Sequence, residues 1–181
     1  TPIVAWYFLK DWDLIIENFY KLLPFKYKKP ILSYTKDINL IFNAYLRGQI
    51  LVSLSLTVFY FLSFYTLGLN YSLFIGIFAG FFSFIPFIGI LISLFITSIL
   101  TYIQFLDYYM FIYILLIFFI GQLLESNFLT PKLIGKKLGL HPLAVLFSIF
   151  IFGSLFGVIG IVFSTPLMAT FILILKNNLK S

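Results

Sequence analysis

Apolar residues recur at helical spacing over Ile31–Leu46, with Ile38, Ile41 and Tyr45 along one stripe, because steps of three and four place side chains on one helix face. Upstream, Leu14, Ile15, Phe19, Leu22 and Leu23 mark another amphipathic helix, capped by Asp11-Trp12-Asp13 and stopped by Pro24, with Glu17 and Lys21 four apart on its exposed side. Lys26-Tyr27-Lys28-Lys29-Pro30 reads as a basic connector between the two. From Gly48 the pattern changes, and neither a charged residue nor His occurs until Asp107. Such a stretch holds at most about three spans of some 20 residues. Thr66-Leu67-Gly68-Leu69-Asn70 is its first turn, so Gln49–Tyr65 forms one helix. Ser83-Phe84-Ile85-Pro86-Phe87-Ile88-Gly89 interrupts the remainder. A Pro and a Gly this close break a membrane helix unless the freed backbone groups face protein or a water-filled cavity. Residues 71–103 are therefore expected as a hairpin of short helices bent at Pro86.

Asp107 opens and caps the next helix, Tyr108 to about Phe128; a proton or substrate role is the alternative for its carboxylate. Leu143–Phe156 and Val158–Leu175 form a second hairpin, whose second arm is interrupted at Ser164-Thr165-Pro166 and ends at Lys176. The fold class that follows is an all-α polytopic membrane protein, with short or broken transmembrane helices in two hairpins and a cytoplasmic helical segment.

Composition agrees, since 62% of the 181 residues are hydrophobic and 10% charged, against about 25% charged in ordinary soluble domains. Such an apolar excess has no room in one soluble core. Cysteine is absent, which excludes disulfides, thiolate metal sites and thiol catalysis. The net charge is +6, and its placement decides its meaning. Seven of the twelve Lys/Arg fall in residues 1–47, three at 132–137, and two at Lys176 and Lys180. Basic residues are retained on the cytoplasmic side, which is a simpler cause than nucleic-acid binding. Four passages then run between a cytoplasmic Arg47 and a cytoplasmic Lys132, and the last hairpin returns Lys176 to the same side. The opening apolar run Ile3–Leu9 is too short to span a bilayer and reads as the end of a transmembrane helix in the C-terminal part of a longer protein. The expected layout is a helix end at 1–9, cytoplasmic amphipathic helices at 10–47, a transmembrane transport domain at 48–176 and a cytoplasmic tail at 177–181. A lipid-surface or gating role is the alternative for residues 10–47.

Candidate chemistry concentrates in Gly121-Gln122-Leu123-Leu124-Glu125-Ser126-Asn127-Phe128-Leu129-Thr130-Pro131-Lys132 and on to His141-Pro142. The spacing puts Gln122, Glu125 and Ser126 on roughly one helix face, and Pro131 is expected to end that helix. Gly135 and Gly139 suit a returning turn, and Pro142 the first position of the next helix. A carboxylate at membrane depth is costly and is a functional candidate by default; the alternative is that Glu125 sits at headgroup level beside Lys132.

Two stretches echo one another, Leu67-Gly68-Leu69-Asn70 before Gly80 and Pro86, and Leu138-Gly139-Leu140-His141 before Gly160 and Pro166. Opposite topology with interrupted apolar segments points to a possible inverted repeat and to a transporter site where the breaks meet. Gly76/Gly80 and Gly153/Gly157 are also spaced for close helix packing. The nucleophile elbow, zinc-protease and phosphate-loop patterns are all missing, so the chain is not expected to be an enzyme or to carry a cofactor or metal.

These residues resemble the autoinducer-2 exporter family of PerM-type permeases. The matching pieces are Tyr45-Leu46-Arg47-Gly48-Gln49, Gly80 with Ile85-Pro86-Phe87-Ile88-Gly89, and Gln122-Leu123-Leu124-Glu125-Ser126-Asn127 with Thr130-Pro131-Lys132-Leu133-Ile134-Gly135. Leu138-Gly139-Leu140-His141-Pro142, Phe156-Gly157-Val158-Ile159-Gly160 and Pro166-Leu167 complete the series. Ser126 stands where many relatives carry a second Asn. The resemblance implies a multi-pass transporter of the bacterial inner membrane, a homo-oligomer surrounded by lipid, exporting autoinducer-2 in some branches and exchanging sodium for protons in others. The leading expectation is a secondary transporter of a small solute, with cation or cation/proton antiport and a non-transporting membrane scaffold as alternatives. The residues assigned to the solute or ion pathway are Arg47, Gln49, Pro86, Gly89, Gln122, Glu125, Asn127, Pro131 and Pro166.

Overall fold

The computed structural model describes residues 25–134 and 140–178. The expected elements within residues 1–24, the turn at Gly135 and Gly139, and the last residues of the tail lie outside them. The chain divides into two compact units, 1–40 and 41–181. The described part of the first is helical from residue 25. The basic stretch 26–30 is therefore helix rather than a connector.

Six helices make up the described chain: α1 (Phe25–Thr66), α2 (Ser72–Phe82), α3 (Ile88–Phe105), α4 (Tyr109–Leu133), α5 (Pro142–Val162) and α6 (Ser164–Asn178). By length and composition four segments are candidates to cross a membrane, namely Tyr34–Thr66, Ile88–Phe105, Tyr109–Leu133 and Leu143–Val162, the last of which is interrupted at Gly157. In the second unit α1 passes through Arg47-Gly48-Gln49 without a break. The two helices expected on either side of that point are one, since nothing between them interrupts the backbone bonds.

One face of α1 carries the core. Tyr45, Val52, Leu56, Tyr60 and Phe64 are all buried, at steps of four and three residues plus the intervening Gly48 and Gln49. Antiparallel α4 packs on that face. A side chain at Gly48 would collide with Ile134 and the Leu133 carbonyl, and one at Gly121 with the Tyr60 ring. Tyr60, Phe64 and Phe118 form a ring cluster with centroids 4.9–5.9 Å apart. On the neighbouring side α2 lies antiparallel through its two glycines. A Cβ on Gly76 would sit 2.7 Å from the Phe61 backbone, and one on Gly80 would meet Thr57 and the Ser53 carbonyl. The spacing expected for close packing is used here as expected.

Residues 67–70 turn as expected, with Gly68 at φ 80°. The Gln104 side chain clasps this turn. It donates to the Gly68 carbonyl at 2.8 Å and accepts from the Asn70 amide at 2.9 Å. The α2–α3 hairpin breaks at residues 83–87, at the expected place. Asp107 accepts from the Tyr109 amide at 2.9 Å, the capping role anticipated for it.

The expected helix end at Pro131 is corrected. Pro131 does not end α4. Residues Glu125–Leu129 take a π-helical turn, and the helix then continues to Leu133. Pro131 has no N–H for the Asn127 carbonyl, and widening the turn removes the ring's clash with that carbonyl. Thr130 accordingly donates to Glu125, five residues back. The second hairpin, expected between Leu143–Phe156 and Val158–Leu175, turns at Gly157 as expected, so Gly157 serves the turn rather than the close packing its spacing from Gly153 also suggested. This glycine stands at φ 62°, ψ −142° inside α5 with open space around it, and the chain reverses there. Gly153 then faces Ile161, and Gly160 lies against the Phe152 carbonyl. The arm from residue 143 to 156 is about 21 Å long at 1.5 Å per residue, short of the ~30 Å hydrocarbon core. His141 and Pro142 start α5 as anticipated, with His141 Nδ1 accepting from the Leu143 amide at 3.3 Å.

The echo between the two halves is not matched by equivalent positions. Pro86 lies in a hairpin turn, whereas Pro166 is in the first turn of α6, just after a kink at Phe163.

Candidate functional site

A helix break in an apolar setting leaves carbonyls without donors, and α1 supplies them. Tyr45, Gln49 and Ser53, four residues apart, form a polar stripe along it. Tyr45 donates to the Val162 carbonyl at 3.3 Å, Gln49 to the Ser83 carbonyl at 3.0 Å, and Ser53 to the Gly80 carbonyl at 2.6 Å. Each acceptor has a reason to be free. Pro166 lacks the N–H that would reach Val162. Gly80 and Ser83 stand where α2 ends, and the Phe84 amide bonds Phe81 instead, while the Gly80 carbonyl accepts from the Ser83 hydroxyl at 2.6 Å as well as from Ser53. The two breaks thus converge on adjacent turns of α1.

The turn at 83–87 is strained. Ile88 donates to the Pro86 carbonyl at 2.7 Å across Phe87, which has φ 62° and ψ −49°. This is the rarer, higher-energy γ-turn. A non-glycine residue there costs about 1–3 kcal/mol, and such strain gathers at binding and switching sites. Gly89 makes the tight return possible, since any Cβ would run into the Phe82 carbonyl.

Against this turn α4 places Gln122 and Glu125. Together with Tyr60, Pro86, Phe87 and Phe118 they line a cavity of about 80 Å³. Glu125 opens the π-helical turn, an irregularity that recurs at functional positions. Among the described residues no hydrogen bond or ion pair reaches its carboxylate, the Gln122 amide or the Tyr60 hydroxyl. No group of three or more His, Cys, Asp or Glu capable of holding a metal occurs among the described residues.

The residues expected to form the pathway separate into two groups. Gln49, Pro86, Gly89, Gln122 and Glu125 come together at the hairpin turn. Arg47, Asn127 and Pro131 are exposed, and Pro166 is buried at the other break. Ser126, expected on the Glu125 face, is exposed and bonds back to the Gln122 carbonyl at 2.8 Å. Sequence reasoning missed Tyr45, Ser53 and Tyr60 as site residues. The four-residue spacing of Tyr45, Gln49, Ser53 and Thr57 was the available signal, since a polar row on an apolar helix needs partners.

A family model described as AI-2E family transporter matches residues 1–180. "Putative transport protein YrrI" of Bacillus subtilis is 29% identical over 93% of this chain and 47% of its own length. "Putative transport protein YueF" of the same organism is 30% identical over 93% and 45%, and "Putative permease PerM" of Escherichia coli is 31% identical over 92% and 47%. The chain thus spans just under half the length of these relatives. No solved structure matches it. With a family model matched along almost its whole length, and with broken apolar helices converging on one polar stripe, this chain belongs to the AI-2E transporter family.

Proposed function

We propose that this protein is a secondary transporter of a small solute, of the autoinducer-2 type by its family, and that Glu125 carries the ion or proton that moves with or against it. The observation that carries the reading is a carboxylate inside a membrane-spanning helix, without a cationic partner among the described residues, opening into a cavity at a strained helix break. Ionisable groups in such positions mark ion and proton pathways, and transporters bind where broken helices meet. The proposed setting is a bacterial inner membrane, with residues 10–47 and 177–181 cytoplasmic, residues 48–176 as the transport domain, and the protein as a homo-oligomer.

Cation antiport is a second reading, favoured by the cavity's size. Its volume of about 80 Å³ is far below the ~300 Å³ at which pockets for drug-sized organic ligands begin. Reconstitution in proteoliposomes separates the readings. Solute efflux driven by a sodium or pH gradient supports the first, and ion exchange without added solute supports the second. If neither gradient moves anything in either direction, a scaffold is what remains.

A further inference from the structure

The Glu125 cavity combines features that together select a ligand. Its side-chain polar groups without partners among the described residues are the Glu125 carboxylate, the Gln122 amide and the Tyr60 hydroxyl. Its walls include the rings of Tyr60, Phe87 and Phe118. The only formal charge among its lining residues is Glu125. The carbonyls of Ser83, Ile85 and Pro86 at the turn each accept one bond, from Gln49, Gly89 and Ile88, so the lining acceptors that have no bond at all are on side chains.

Those acceptors are a poor match to a bare metal ion. Hard cations such as Ca²⁺ surround themselves with six or more oxygens, and the side chains here offer four. An ammonium group suits the site better. Three N–H donors can be met by the carboxylate, the Gln122 carbonyl oxygen and the Tyr60 oxygen, and the aromatic faces attract the same positive charge. A short alkyl substituent would meet Ile85, Ile90 and Pro86.

We propose that the cavity between the 83–87 turn and α4 binds ammonium or a small primary alkylammonium ion, held by Glu125, Gln122 and Tyr60. This deepens the cation reading given above and rests on it. Gln122 and Tyr60 are specificity-determining residues, because they supply acceptors that match N–H donors in number. Choline, which has no N–H and more bulk, is excluded.

The intact protein, purified in detergent, is titrated with methylammonium, ammonium, sodium or choline chloride at constant ionic strength, and its unfolding temperature is followed. A ligand that binds the folded state alone raises that temperature by mass action. Stabilisation by methylammonium and ammonium, and not by sodium or choline, is the expected result. Tyr60→Phe should weaken the methylammonium response about tenfold, the equivalent of one hydrogen bond to a charged group, and Glu125→Gln should abolish it. An equal or larger response to sodium, or no response to any of the four salts in the wild type, overturns the proposal without recourse to a variant. The cation reading is tested apart from this. Sodium-driven exchange lost in Glu125→Gln, with no methylammonium response, keeps that reading and rejects the ammonium ligand. Normal exchange in Glu125→Gln rejects both.

Discussion

Gln49 holds the Ser83 carbonyl at 3.0 Å across 34 residues of sequence, and both groups are buried. This single bond ties the broken hairpin to α1 beside the cavity that Glu125 lines. Replacing Gln49 with Leu keeps the apolar volume and removes the donor. A buried acceptor left without a partner costs about 1–3 kcal/mol. Gln49→Leu should therefore lower the unfolding temperature in detergent, and Gln49→Glu should lower it further, because the carboxylate would face a carbonyl. A wild-type melting curve for Gln49→Leu would show that the turn does not depend on this bond.

Glu125→Gln is isosteric and leaves α4 intact, so yield and oligomeric profile on gel filtration should match wild type. Gradient-driven transport should fall to the background of empty liposomes if the carboxylate carries an ion or proton. Were Glu125 only a headgroup-level partner of Lys132, the change would be nearly silent, since exposed pairs contribute about 0–1 kcal/mol. Transport at the wild-type rate removes Glu125 from the site.

Gly76 and Gly80 let α2 approach α1 within contact of its backbone. Gly76→Val pushes a branched side chain into the Phe61 backbone, which has no free rotamer to give way. Large losses come from such overpacking, typically about 1–3 kcal/mol. Folded yield should drop sharply, whereas Gly68→Ala, at a position with open space and positive φ, should cost only about 1 kcal/mol. Similar yields for the two variants would argue against the tight α1–α2 contact.

The absence of native cysteine makes sidedness directly measurable. Asn70→Cys should react with an impermeant thiol reagent added to intact cells from outside, and Lys132→Cys only after permeabilisation. Both positions are at exposed residues, so access is decided by the membrane. Equal labelling of the two from outside would reverse the charge-based topology.

Much of this protein is legible in its sequence because local chemistry decides it. Hydropathy without charge from Gly48 to Leu106 requires helices in lipid, since only internally bonded backbone survives there. Pro86 and Gly89 place the hairpin turn, Asp107 caps α4, and Pro142 starts α5. Pro86, Gly89 and Pro142 also belong to the stretches that carry the family resemblance. What the chain could not disclose locally were answers that depend on partners from distant segments. Pro131 looks like a helix end, yet the backbone absorbs it with a wider turn and continues to Leu133. Gly157 is spaced for packing with Gly153 and also separates the two arms of the expected second hairpin, and only the fold decides for the turn. Tyr45, Gln49 and Ser53 stand four apart as a polar row on an apolar helix, and the row does not name its partners. Only the tertiary structure shows each of them meeting a carbonyl freed elsewhere, because an unpaired carbonyl in a membrane interior is satisfied by whichever donor the fold brings to it.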